Sequence, residues 1–271
     1  MPYNDTSRYQ LPFSPIIGGE LAYLTIATLE YHITDITGLG HVLVEDVSRR
    51  QYLTFSSDLG LDTAVAGIGG MHDAYPVAAD TWYELRCAWD PLSSELDGDF
   101  GLFAVPVGTV VNLALVQALT GPGAYTMWSP PLGMFVTNTA LQIVEFALEP
   151  DGWLLFLPGH QVLTAGVAIA WTAVDCSDWV PNIPSISVQL RLYAESSGVA
   201  DRNVSIGLYD GATEHTILTL DDLANIAGSV KSKTALIEVQ MTDTPATFLV
   251  YDWDVAPSHG LDVWVTAVKI G

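Results

Sequence analysis

Strand-length segments follow one another from Asp80 to Pro158, and they constrain the fold more than any other part of the chain. Each is rich in aromatic or β-branched residues, as in Thr81-Trp82-Tyr83, and each is closed by Gly, Pro or Asp. Such runs are typical of short antiparallel strands. Helical patterns are scarce, and the best of them, Asp221 to Ala227, is about two turns long. The sequence therefore predicts an all-β fold of antiparallel, jelly-roll-like β-sandwich modules with very little helix.

Three segments are predicted along the chain. Residues 1–19 contain three prolines and form an N-terminal arm that is suited to attachment, residues 20–180 form a β domain, and residues 181–271 form a C-terminal β-sandwich. The boundary is placed at Val180-Pro181-Asn182-Ile183-Pro184, because two prolines so close together interrupt a sheet. One continuous β domain is the alternative. Beyond the boundary the pattern predicts six strands: Ser185 to Ala194, Val204 to Asp210, Glu214 to Leu220, Thr234 to Met241, Thr247 to Trp253 and Leu261 to Ile270.

Two patterns in the N-terminal half predict particular strands. Residues 20–29 alternate with apolar residues on both faces, which indicates one strand covered on two sides. Residues 42–47 and 50–55 indicate a pair of strands, with charged residues at the end where they join.

The chain is strongly acidic. Nine Lys and Arg stand against thirty-one Asp and Glu, for a formal net charge of −22, and the basic residues form no stripe. Such a surface repels phosphate backbones, so nucleic-acid binding is excluded. No N-terminal targeting segment and no run of about 20 apolar residues is present. We therefore expect a soluble protein without membrane insertion, made in the cytoplasm.

Catalytic and metal-binding motifs are scarce. The nucleophile elbow, the phosphate-binding glycine signatures and the zinc spacings of histidine are absent, so no catalytic residue and no enzymatic activity are predicted. Asp97 and Asp99 bracket a glycine and come nearest to a calcium site, although a solvated turn is the favoured interpretation. Calcium is thus the one cofactor left open. The two cysteines, Cys87 and Cys176, are predicted to be small buried side chains, and whether they pair is left open.

Aromatic residues are the better functional signal, because flat rings stack on sugars and anchor interfaces. The chain has eight tryptophans and eleven tyrosines. Trp128 and Trp179 lie in Pro-flanked, loop-like contexts and are predicted to contact a ligand. Tyr209, Trp253 and Trp264 fit either a ligand site or an interface. The predicted ligand-binding residues are Trp128, Trp179, Tyr209 and Trp253.

Five short motifs follow one another in the middle of the chain: Thr81-Trp82-Tyr83, Asp97 to Phe100, Gly123 to Tyr125, Leu132-Gly133 and Trp153 to Phe156. Their order resembles a module of structural proteins of tailed bacteriophages, particularly tail fibres, head spikes and other receptor-binding parts. The resemblance covers about half of the chain and implies that the protein is made in the bacterial cytoplasm. It departs at Gly123-Ala124-Tyr125, which splits the usual pair, and at Met127-Trp128-Ser129, where basic residues often follow.

The resemblance implies a virion structural protein on the surface of a phage or phage-like particle. It implies a fibre or spike subunit that binds host cell-surface polysaccharide, contacts other virion proteins and, by analogy with fibre proteins, forms a homotrimer. A purely architectural capsid-decoration or tail-adaptor protein is the alternative. A polysaccharide-degrading enzyme is the least favoured hypothesis.

Overall fold

The chain divides into two units, Met1–Leu148 and Glu149–Gly271, in the computed structural model. Most of the described residues lie in strands, and the one helix among them, α1, spans Leu113–Gln117. The predicted all-β fold with very little helix is therefore confirmed. The structure describes residues 16–17, 19–33, 38–46, 50–91, 100–149, 152–183, 186–198, 202–209, 213–221, 223, 226–240 and 249–269.

A large mixed sheet forms the first unit. Its strands are β1 Ile16–Ile17, β2 Gly19–Tyr23, β3 Thr28–Ile33, β4 Gly40–Glu45, β5 Arg50–Phe55, β6 Leu59–Ala66, β7 Gly70–Met71, β8 Trp82–Trp89, β9 Phe100–Pro106, β10 Met127–Trp128 and β11 Gly133–Val136. A further strand, β12 Phe146–Leu148, ends the unit. The strand order is β1-β4-β10-β8-β9-β7-β6-β3-β2, with β11 paired to β8 and β5 paired to β4. Strand β7 runs parallel to β6 and β9, and the other described pairings are antiparallel.

The core of the first unit is centred on β8, which is buried along almost its whole length. Tyr83 of β8 stacks on Phe135 of β11 with ring centroids 5.3 Å apart. Two charged residues of the same strand, Glu84 and Arg86, are also buried and form an ion pair of 2.6 Å between Arg86 Nη2 and Glu84 Oε2. A strand covered on both faces reads as a continuous hydrophobic run, which explains the strength of this signal in the sequence.

Two sequence predictions in this unit have different outcomes. The single strand over residues 20–29 is wrong: the chain turns back at residues 24–27, and β2 pairs antiparallel with β3. The turn forms because the Thr25 hydroxyl accepts hydrogen bonds from the backbone N–H groups of Ala27 and Thr28. The strand pair over 42–47 and 50–55 is confirmed as β4 and β5, and Arg50 pairs with Glu45 at its end.

A jelly roll forms the second unit. Its strands are β13 Trp153–Gly166, β14 Thr172–Val174, β15 Ser187–Gly198, β16 Val204–Tyr209, β17 Glu214–Leu220, β18 Ile226–Gln240, β19 Leu249–Trp253 and β20 Gly260–Lys269. The first sheet has the order β13-β20-β15-β18, and the second has the order β14-β19-β16-β17. Successive strands alternate between the two sheets, except that β16 and β17 are neighbours in the second sheet, and β13 pairs with β20, the last strand. This is the topology of an eight-stranded jelly roll, so the predicted fold class is confirmed.

The unit boundary lies near residue 148, whereas the prediction placed a domain boundary near residue 180. The six strands predicted beyond that point correspond to β15–β20, but the jelly roll also needs β13 and β14, which come before it. Pro181 lies where the chain leaves β14 in the second sheet and crosses to β15 in the first. Pro181 therefore marks a crossing between sheets, where no ladder hydrogen bond is lost.

Two further predictions concern segments that the structure describes in part. The helix predicted over Asp221 to Ala227 is wrong at its end, because Ile226 begins β18 and aligns with Gly198 of β15. The predicted N-terminal arm lies outside the described residues, apart from β1, which pairs with β4, and Gly19, which begins β2. No helix in the described ranges is both long enough and apolar enough to cross a membrane.

Candidate functional site

Trp128 and Trp179, the predicted loop tryptophans, are both half-buried. Trp128 lies in β10 opposite Ala88 of β8 and packs against the hydrophobic core of the first unit. Trp179 stacks face to face on His160, with ring centroids 3.4 Å apart and an angle of 3° between the planes. Burial lowers the pKa of His160, which favours its neutral form in this stack. Both rings thus stay partly exposed, and that of Trp128 contacts the core of the first unit.

The predicted residues of the last domain differ in exposure. Trp253 is 1% exposed, and its Nε1–H donates to the carbonyl of Gly166 at 2.9 Å. A ring with no accessible face cannot stack on a ligand, so the assignment of Trp253 to a ligand site is corrected to a core role. Tyr209 is half-buried and aligns with Glu214 where β16 meets β17. Asp97 and Asp99, the predicted calcium-turn residues, lie outside the described residues.

The outer face of the first jelly-roll sheet brings together aromatic and polar side chains from four strands. Residues that alternate with these along β15 and β20, such as Leu190, Leu192 and Val263, are buried in the sandwich. One row of aligned positions crosses the whole sheet: Gln161 of β13, Trp264 of β20, Arg191 of β15 and Leu236 of β18. A second row aligns Asp262 of β20 with Tyr193 of β15. We call these six residues the aromatic face.

Two cation–π contacts lie on this side of the sheet. The Arg191 guanidinium is 4.3 Å from the centroid of the Trp264 ring, and the Lys269 ammonium is 5.5 Å from that of Trp153. Each pair joins aligned neighbours on adjacent strands, because Arg191 lies opposite Trp264 and Lys269 lies opposite Trp153. Stacking on a guanidinium holds the indole in one orientation. Trp153 is buried, so of the two indoles only Trp264 is partly exposed beside its cation.

Hydrogen bonds hold Asp262 of the aromatic face and the neighbouring Glu195 carboxylate. Asp262 Oδ1 accepts from the backbone N–H of Ala165 at 2.7 Å and from the Gln161 side-chain amide at 3.3 Å. The Tyr193 hydroxyl donates to the Glu195 carboxylate, which raises the pKa of Tyr193. Fixed carboxylates beside a fixed indole are the kind of groups that orient a polar ligand in a binding site.

A hydroxyl, an imidazole and a carboxylate also lie in series at the edge of this region. Ser258 Oγ is 2.9 Å from His259 Nδ1, and His259 Nε2 is 3.5 Å from Glu195 Oε1. Ser258 and His259 are exposed, and Ser258 Oγ accepts the backbone N–H of Ser197 at 2.8 Å. This network ties the β19–β20 connection to the end of β15 and thereby supports the carboxylate that holds Tyr193.

Neither cysteine is an activated thiol. Cys87 and Cys176 are both free and buried, and burial raises the pKa of each to about 12. Thiolate is the reactive form, so both side chains are inert near neutral pH. The question of pairing is thereby answered: the two residues do not form a disulfide.

Among the described residues, one group that could hold a metal lies in the first unit. Glu30, His32 and Asp58 each offer one ligand atom, and these atoms lie within 4.8 Å of one another. No motif in the sequence marks this group, because Asp58 is far from the other two along the chain. The sequence predicts that Trp264 fits a ligand site or an interface, but it does not single out Arg191. Period-two alternation in β15 and β20 would have placed both residues on the outer face.

Comparisons with known proteins add little to this geometry. No protein-family model and no curated protein matches the chain. Among solved structures, an insecticidal delta-endotoxin of Bacillus thuringiensis, Cry8Ea1, aligns with 94% of this chain at 9% identity and a TM-score of 0.18. The chain spans about half the length of that toxin, 51%. A likeness at this TM-score carries no argument about fold or function.

Proposed function

We propose that this protein is a non-catalytic adhesion subunit that binds polysaccharide through the aromatic face of its jelly roll. The observation that carries the proposal is the row of Gln161, Trp264 and Arg191, in which an indole fixed by a guanidinium is flanked by an amide. Sugar rings present C–H groups on their faces and hydroxyls at their edges. An indole packs against the first, while guanidinium, amide and carboxylate groups bond the second.

The proposal places the protein on the surface of a phage or phage-like particle, as a fibre or spike subunit that binds host cell-surface polysaccharide. The resemblance to phage structural modules supports this placement, and the partners would be other virion proteins and, in a homotrimer, further copies of the chain. Several weak sites on one rigid assembly raise avidity without tight single contacts. A shallow sheet face suits such binding, because each site need only be weak.

The experiment that tests the proposal measures glycan binding. The full chain is applied to an array of bacterial capsule and lipopolysaccharide repeat units, and the dissociation constant for a glycan that binds is then compared between variants. Trp264→Ala removes stacking and apolar contact on the order of 1–2 kcal/mol, so we expect binding roughly 5- to 30-fold weaker. Trp171→Ala is the matched control, since Trp171 is a half-buried indole over Gly207 of the other sheet, and it should leave binding unchanged.

Three outcomes would count against the proposal. If no glycan on the array bound the protein, the proposed polysaccharide binding would be contradicted. Binding that survives Trp264→Ala but is lost in Trp179→Ala would move the site to the Trp179–His160 stack. Release of reducing sugar from a bound polysaccharide would show an enzyme instead of an adhesin.

A purely architectural role, as a capsid-decoration or tail-adaptor protein, is the second candidate because of β18. This strand is at the end of the first sheet and, among the described strands, pairs with β15 alone. It carries Val230 and Leu236, which are 56% and 61% exposed. A long edge strand with apolar side chains is suited to pairing with another protein. Particles that fall apart without the protein, together with no glycan binding, would favour this role.

A further inference from the structure

The first unit contains a cluster of metal-ligating side chains that is separate from the aromatic face. Glu30 and His32 are two residues apart on β3 and therefore point to the same side of the strand. Strand β3 pairs antiparallel with β6, with Tyr31 opposite Leu59. Asp58, which precedes Leu59, is consequently placed beside His32. Alternation along β3 places Glu30 and His32 on one side, and the register of β3 with β6 adds Asp58.

The distances within this cluster are short. His32 Nδ1 is 3.0 Å from Asp58 Oδ2, and His32 Nε2 is 3.4 Å from Glu30 Oε2. A second hydrogen bond fixes the orientation of the Asp58 carboxylate, because its Oδ1 accepts the backbone N–H of Ile33 at 2.8 Å. A carboxylate held through one oxygen offers the other in a fixed direction, which is the usual support of a metal ligand.

Solvent can reach this cluster. The side chains of Glu30, His32 and Asp58 are 26%, 37% and 39% exposed. An ion that enters would therefore gain three protein ligands and keep water in its remaining positions. Two carboxylates and one imidazole also neutralise a divalent charge without burying any of it.

We propose that Glu30, His32 and Asp58 form a binding site for one divalent transition-metal ion of the zinc class. The imidazole decides the class, because zinc binds His nitrogen and carboxylate oxygen, whereas calcium takes six to eight oxygen ligands. To bind the ion, His32 gives up one of its two carboxylate contacts and turns that ring nitrogen toward the metal. The ion then joins β3 to the turn between β5 and β6. The site goes beyond the proposed glycan binding, which belongs to the other unit.

Isothermal titration of the chelator-treated full chain with zinc chloride tests the proposal, with calcium chloride and magnesium chloride as comparators. We expect zinc to bind more tightly than either comparator. His32→Ala should weaken zinc binding at this site at least about tenfold, since even the outer-shell partners of a metal contribute that much. Asp58→Asn preserves the shape of the side chain while removing its charge, and it should weaken zinc binding in the same direction.

His41→Ala is the matched control. His41 lies on β4, and its Nδ1 is 3.0 Å from the Thr54 hydroxyl. This variant should bind zinc as the unchanged chain does, which separates the site from scattered histidine binding. Circular dichroism spectra establish that each variant is folded. Zinc isotherms that are identical for the unchanged chain, His32→Ala and Asp58→Asn would overturn the proposal, as would calcium binding tighter than zinc binding.

Discussion

Removing Arg86 alone should destabilise the first unit severely, because it leaves a buried carboxylate without its cation. Glu84 and Arg86 are 3% and 4% exposed. Arg86 donates to Glu84 Oε2 through Nη2 at 2.6 Å and Nε at 3.1 Å, and to the Ser129 carbonyl through Nη1 at 3.0 Å. The aligned neighbours of Glu84 are Val105 and Met134, which offer no replacement side-chain donor.

The expected magnitude follows from that burial. Breaking a buried pair by removing one partner costs about 3–5 kcal/mol. For a unit of this size, Met1–Leu148, each kcal/mol lowers Tm by roughly 2–4 °C, so Arg86→Met should lower it by roughly 6–20 °C. The double variant Glu84→Met/Arg86→Met removes both charges. Its remaining cost is the loss of the Arg86 donor to the Ser129 carbonyl, which lowers the free energy of unfolding by about 1–3 kcal/mol. It should therefore be more stable than Arg86→Met.

Thermal unfolding measures the differences in Tm, and urea unfolding measures the differences in the free energy of unfolding, both followed by circular dichroism. A surface ion pair supplies the control. Arg50 Nε is also 2.6 Å from a carboxylate, that of Glu45, but the Arg50 side chain is 70% exposed. Arg50→Met should cost less than about 1 kcal/mol. The reasoning would be refuted if Arg86→Met also lowered the free energy of unfolding by less than about 1 kcal/mol. It would also be refuted if the double variant were no more stable than Arg86→Met.

Three further outcomes are expected. Trp253→Phe keeps an aromatic ring but removes part of the buried indole together with its donor to a carbonyl of β13, so the free energy of unfolding in urea should fall by at least about 1–3 kcal/mol; unchanged stability would contradict this. Cys87 and Cys176 should not react with Ellman's reagent at pH 8 in the folded protein and should both react in denaturant, because each has a pKa of about 12; rapid labelling of the folded protein would contradict this. Gly67→Ala should lower Tm more than Gly108→Ala, because both have φ of +85° but only Gly67 faces a backbone carbonyl that Cβ would hit; equal effects would contradict this.

Much of the jelly roll was predictable, and its extent was not. The six strands predicted beyond Pro181 are present because alternation and turn residues are local signals. The two strands that complete the sandwich were assigned to the preceding domain, since Pro181 stands between them and β15. A proline indicates only that its backbone cannot donate a ladder hydrogen bond at that position. The same signal is expected where the chain leaves a domain and where it crosses between two sheets of one domain.

The sequence predicted binding through aromatic rings, but one of the residues it named for the site is buried. The abundance of tryptophan and tyrosine indicated ring-mediated binding, which stays a prediction. Trp253 and Trp264 occur in similar strand patterns of the same domain, yet Trp253 is in the core and Trp264 is half-exposed. Each strand can turn either face inward, and a shift of one residue exchanges all its side chains between core and solvent. The choice depends on which sheet packs behind the strand.

Composition and alternation were enough to establish an acidic chain of short strands with almost no helix. The reason is that the alternation of apolar and polar residues along a strand is a local pattern, which can be read without knowing the strand's partners. The pairing of those strands required the folded molecule: Leu154 meets Val268, and His32 meets Asp58, only when segments distant along the chain have aligned. The aromatic face and the Glu30, His32 and Asp58 cluster are both products of such alignments. A linear pattern contains the residues of these sites, but register decides which of them share a surface.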